Sequence, residues 1–77
     1  MTGTVIVKLR CNNGLDCMVS KKKYEIYEDE WDMLAELQKN FGCLPWRKCG
    51  EWNFVAEIVC EDGNYECFMA EFLTNNK

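Results

Sequence analysis

Met33, Leu34, Leu37 and Phe41 fall within one arc of a helix that turns about 100° per residue, with Trp31 on the border of that arc. Glu28, Asp32 and Glu36 form an i, i+4 column on the other side. The stretch from Tyr27 to Gly42 therefore predicts one amphipathic helix, over about residues 29–41, whose dry face the rest of the chain has to cover. Its ends agree with its stripe. Asp29 offers an N-cap with Asp32 three residues on, acidic residues crowd the first turn where the helix dipole favours them, Lys39 lies in the last turn, and Gly42 supplies a C′ residue.

Two turn signals flank this helix. Residues 4–11 alternate, with Val5, Val7, Leu9 and Cys11 on one face and Thr4, Ile6, Lys8 and Arg10 on the other, which predicts a strand. Asn13-Gly14 then favours a hairpin, with residues 15–20 returning antiparallel. A three-residue loop with Gly14 left-handed puts Cys11 opposite Leu15, Leu9 opposite Cys17, Val7 opposite Val19 and Arg10 opposite Asp16. This register separates apolar from charged residues, whereas a two-residue turn mixes them. Lys21, Lys22 and Lys23 suit an exposed edge or loop, and alternation resumes at Tyr24.

Beyond the helix, residues 43–50 hold the only proline and no periodicity, so they are expected to form a connecting loop. Residues 51–60 alternate, with Trp52, Phe54, Ala56, Ile58 and Cys60 on one face. A two-residue turn at Asp62-Gly63 would pair Cys60 with Tyr65, Ile58 with Cys67 and Ala56 with Met69, the last strand running over residues 64–72 before a polar tail at residues 74–77. The expected fold is a single α+β domain of order ββαββ, one amphipathic helix packed on a mainly antiparallel four-stranded sheet made of two hairpins.

The chemistry this chain can support is narrower. Lys and Arg number 9 against 13 Asp and Glu, and the net charge of −4 argues against direct nucleic-acid binding, which needs a basic footprint. The apolar run at residues 5–9 is interrupted by Lys8 and is too short for a signal h-region or a membrane span, so a cytoplasmic location is expected. There is no histidine, Ser20 is the only serine, and no glycine-rich phosphate loop occurs, so no enzyme is expected.

Six cysteines in 77 residues is a high count. Small buried thiols are the plain reading, and diagonal placement of Cys11 and Cys17 across the hairpin argues against a disulfide there. The alternative is a zinc site built from Cys11, Cys17, Cys43 and Cys49, although the x5 spacing of these pairs is longer than the usual zinc knuckle. Otherwise no cofactor is expected.

Two surfaces remain as binding candidates. Glu25, Glu28, Asp29, Glu30, Asp32 and Glu36 make an acidic run with no base in it, and the column Glu28, Asp32, Glu36 could steer the protein to a basic partner. Trp46, Arg47 and Lys48 are the second candidate, because Trp and Arg dominate binding hot spots. The expectation is a protein-binding module that engages a basic, nucleic-acid-handling protein. In size, acidity and lack of catalytic residues the chain resembles the small phage-encoded anti-CRISPR and anti-restriction inhibitors, a likeness of type that rests on no motif and assigns no residue. The alternatives are a zinc-stabilised adapter using Arg47 and Lys48, and a homo-oligomer that pairs by an edge strand.

Overall fold

A computed structural model of the chain describes residues 1–11, 14–59, 61 and 63–74. Asn12, Asn13, Cys60, Asp62 and residues 75–77, which entered the expected turns, strand end and tail, lie outside the described residues. The elements are β1 (Thr2–Arg10), β2 (Asp16–Ile26), α1 (Glu30–Asn40), β3 (Arg47–Gly50), β4 (Asn53–Val59) and β5 (Tyr65–Thr74). The class is α+β as expected, but the sheet has five antiparallel strands in the order β2-β1-β5-β4-β3, so ββαββ is corrected to ββαβββ.

The added strand is β3, inside the stretch expected to be a loop. Its sequence, Arg-Lys-Cys-Gly, carries neither alternation nor β-branched residues. Pairing supplies what propensity lacks: Arg47 stands opposite Val55 and Lys48 opposite Phe54, and Arg47 donates to Glu57 Oε1 at 2.6 Å.

The first hairpin takes the expected register at its tip. Gly14 N–H donates to Cys11 O and Cys11 N–H to Leu15 O, both at 2.9 Å, and Gly14 is left-handed at φ 82°. Leu9 faces Cys17 and Arg10 faces Asp16. A bulge between Val7 and Lys8 then moves Val7 opposite Ser20 rather than Val19.

The second hairpin is one residue out from expectation. Ala56 faces Phe68, Glu57 faces Cys67 and Val59 faces Tyr65. The reason lies in polarity, because this register puts Phe68, Ala70 and Phe72 on the core face with Phe54 and Ala56, whereas the expected one would set Glu71 opposite the buried Phe54. Thr74, expected in the tail, pairs with Gly3 inside the sheet.

β1 and β5 are central, and their paired residues Val5 with Phe72 and Val7 with Ala70 share one face. α1 lies on that face. Met33 and Leu37 are buried with Val5, Val7, Tyr27, Phe54, Ala70 and Phe72, while Leu34, Phe41, Trp46 and Trp52 pack at the margin. Burying a Met, Leu or Phe side chain contributes about 1.5–3 kcal/mol each, so this one interface carries most of the stability available to so small a domain.

The helix starts where the sequence placed it, with Asp29 Oδ1 accepting from Trp31 and Asp32 N–H at 3.0 and 3.1 Å. It stops after Asn40. Gly42 is required there for space, since a Cβ would lie 2.4 Å from Gln38 O.

Eleven helical residues span only about 16 Å, whereas the eleven residues of β2 span roughly 36 Å. The hairpin end of the sheet therefore extends beyond the helix, and Leu15 there is exposed. Met18, Val59 and Tyr65, also exposed, lie on the other face of the sheet, in line with Lys8, Val55 and Met69. β2 is an edge strand carrying Lys21, Lys22 and Lys23, as its charge predicts, and two bulges against β1 twist it further from pairing with another chain. No helix among the described residues is long and apolar enough to cross a membrane.

Candidate protein-binding site

The acidic column divides once its contacts are known. Glu36 turns inward: its Oε2 accepts from the Tyr27 hydroxyl at 2.7 Å and its Oε1 lies 3.4 Å from Lys22 Nζ. Tyr27 is buried, with its ring edge-on to Phe72 at 5.2 Å. Burial first, and then the bond to Glu36, raise the Tyr27 hydroxyl far above the ordinary tyrosine range. Asp32 Oδ2 accepts from Glu28 N–H at 3.0 Å, which ties the chain entering the helix to its first turn. Glu28 itself projects from an exposed position.

Glu30, a residue the helical column does not include, makes two short contacts. Its Oε2 lies 2.6 Å from Lys48 Nζ, and its Oε1 accepts from Trp52 N–H at 2.6 Å. Trp52 occupies the turn between β3 and β4 at φ 59°, a left-handed conformation that costs a non-glycine residue strain energy. Contacts with α1 and β5 hold it there. Besides the bond to Glu30, its carbonyl accepts from Phe72 N–H at 3.2 Å and its ring packs 4.8 Å from Phe72.

Lys48 first, and the Trp52 amide second, hold the Glu30 carboxyl below the ordinary glutamate value of 4.5. A carboxyl depressed in the folded state contributes stability that is complete above its unfolded value and lost as pH falls through the folded one. Acid unfolding followed by tryptophan fluorescence should therefore show a loss beginning near pH 4.5 and deepening below it. Glu30→Gln, which cannot titrate, should lower stability at neutral pH and flatten this acid limb.

Around this pair lies an open pocket of about 520 Å³ lined by Glu28, Asp29, Glu30, Glu51, Trp31 and Trp52, with Lys48 at its side. Trp31 is 60% exposed, so most of its indole is free for contact. The pocket already shows what it attracts, since Lys48 Nζ sits 6.0 Å from the Trp31 ring centroid while pairing with Glu30. A flat indole rimmed by carboxylates is suited to a guanidinium or ammonium group.

Trp46, Arg47 and Lys48, adjacent in sequence, are not brought to one surface. Trp46 Nε1 donates to Phe41 O at 3.2 Å and its ring stands edge-on to Phe41 at 6.2 Å, so it closes the end of the helix. Arg47 pairs with Glu57, in register with Val55 on the sheet face away from α1. Lys48, in register with the buried Phe54, joins the acidic pocket instead.

The four cysteines of the zinc alternative are not assembled either. Cys11 and Cys17 touch, with Sγ atoms 3.6 Å apart, but among the described residues no group of three or more potential ligands could hold a metal ion. Comparison with protein-family models, curated proteins and solved structures finds no match for this chain.

Proposed function

We propose that this protein is a non-enzymatic binding module that docks the acidic, tryptophan-bearing start of α1 on a basic groove of a protein partner, in the manner of a small inhibitor of a nucleic-acid-handling protein of the anti-CRISPR or anti-restriction type. The observation that carries this reading is the exposed Trp31 ring set among Glu28, Asp29, Glu30 and Glu51. Lys48 neutralises Glu30, which leaves Glu28, Asp29 and Glu51 as a surplus of negative charge around the ring. An aromatic anchor beside such a surplus combines contact area with electrostatic steering. The chain's net charge of −4 adds to the attraction for a basic surface.

The residues that carry the proposal differ from the helical column. Glu28, Glu51 and Trp31 are exposed, whereas Glu36 is held by Tyr27 and Lys22. A variant combining Glu28→Lys, Glu51→Lys and Trp31→Ala should keep its helix and its melting temperature within a few degrees. In affinity capture from the source cell at low and high salt, it should lose at least about tenfold of bound partner, which corresponds to roughly 1.4 kcal/mol. Wild-type capture should weaken with salt. Undiminished capture by the triple variant would refute docking through this end of the helix.

A further inference from the structure

Cys11 and Cys17 stand at the hairpin end of the sheet that α1 does not reach. Leu9 faces Cys17, and Cys11 bonds with Leu15, so the two cysteines are diagonal neighbours. In a regular ladder that relation separates Cα atoms by about 7–8 Å, wider than a relaxed disulfide accepts. Their side chains nevertheless lean together until the Sγ atoms are 3.6 Å apart. Arg10 Nε and Asp16 Oδ1, 3.0 Å apart in the adjacent pair, pin the register that brings them together. Among the described residues this is the one pair of thiols in contact.

We propose that Cys11 and Cys17 form a reversible dithiol–disulfide pair, oxidised by a low-molecular-weight disulfide of the glutathione class. Cys17, the exposed member, attacks first. Its thiolate displaces one small thiolate from the external disulfide and becomes a mixed disulfide. Cys11 then gives its proton to solvent and attacks Cys17 Sγ, forming the intramolecular bond and releasing the second small thiol. Two electrons pass from the protein dithiol to the external disulfide, which leaves as two thiols.

The order of attack follows from the environment of each sulfur. The hydrogen bond with Cys17, and then desolvation, raise the Cys11 thiol above its ordinary value, so Cys11 is the poorer first nucleophile. Closing the sulfurs from 3.6 Å to roughly 2.05 Å requires the turn to yield. Gly14 stands in open space, with nothing within 4 Å of where a Cβ would be, so no packed side chain opposes that movement. A bond made across a diagonal at an exposed turn is strained and readily reduced, which makes it reversible rather than a permanent staple.

The test uses the full chain, reduced and then equilibrated in graded ratios of reduced to oxidised glutathione, acid-quenched, alkylated and mapped by peptide mass spectrometry. The expected product lacks alkyl groups on Cys11 and Cys17 together, carries no glutathione, and reverts with reduced glutathione. Cys11→Ser should trap glutathione on Cys17. Separate glutathione adducts on both residues of the wild type, or alkylated Cys11 and Cys17 while Cys43 or Cys49 is oxidised, would overturn the proposal. The wild-type mapping is decisive even where a serine variant is destabilised.

Discussion

Phe54→Ala should lower the stability of the domain by about 3–5 kcal/mol, which in a chain of 77 residues is enough to leave much of it unfolded at ambient temperature. Phe54 has no exposed surface, and neither has Met33 within the same core cluster. Among the described residues the core is one thin layer between α1 and the sheet. Truncating Phe54 therefore leaves a cavity that a two-layer fold has little material to fill. Urea unfolding monitored by far-ultraviolet circular dichroism should show the midpoint falling sharply. A loss below about 1 kcal/mol would mean that the helix does not pack across β4 as described.

Glu36→Lys should also act on the fold, although its position in the helical column suggests a surface residue. The substitution removes the acceptor of the buried Tyr27 hydroxyl and places a cation beside Lys22. An unsatisfied buried hydroxyl costs about 1–3 kcal/mol, and the new like charge adds to it. Glu28→Lys, four residues apart from Asp32 on the same column, should change stability by less than about 0.5 kcal/mol. Thermal melts of the two single variants separate these roles. Equal melting temperatures would show that the Tyr27–Glu36 bond contributes nothing.

The helix was legible because its signals are local: stripe, N-cap and Gly42 all lie within sixteen residues of one another, and the first hairpin tip was legible for the same reason. β3 was not, since Arg47 and Lys48 become strand residues only through Val55, Phe54 and Glu57. The second register misled because Asp62-Gly63 satisfies a two-residue turn locally, while the alternation of Phe68, Ala70 and Phe72, also visible in the sequence, decides the matter through the core.

The candidate site was half visible. The acidic run could be counted, but which carboxylates are committed inward depends on contacts that join α1 to β2 and to the β3–β4 turn. Glu36 meets Lys22, and Glu30 meets Lys48 and Trp52. Glu51 joins Glu28 only because that turn folds back to the start of the helix. Trp31, marginal on the helical wheel, proves to be the exposed aromatic of the pocket.

The most direct test of docking through this pocket is an NMR titration of the labelled protein with its captured partner, or with an arginine-rich peptide as a simpler probe. The predicted result is that the Trp31 indole N–H and the amides of Glu28, Glu30 and Glu51 shift first, with saturation that weakens as salt is added. Perturbations confined to the opposite sheet face, around Ile6, Val55 and Met69, with Trp31 unmoved, would contradict the account.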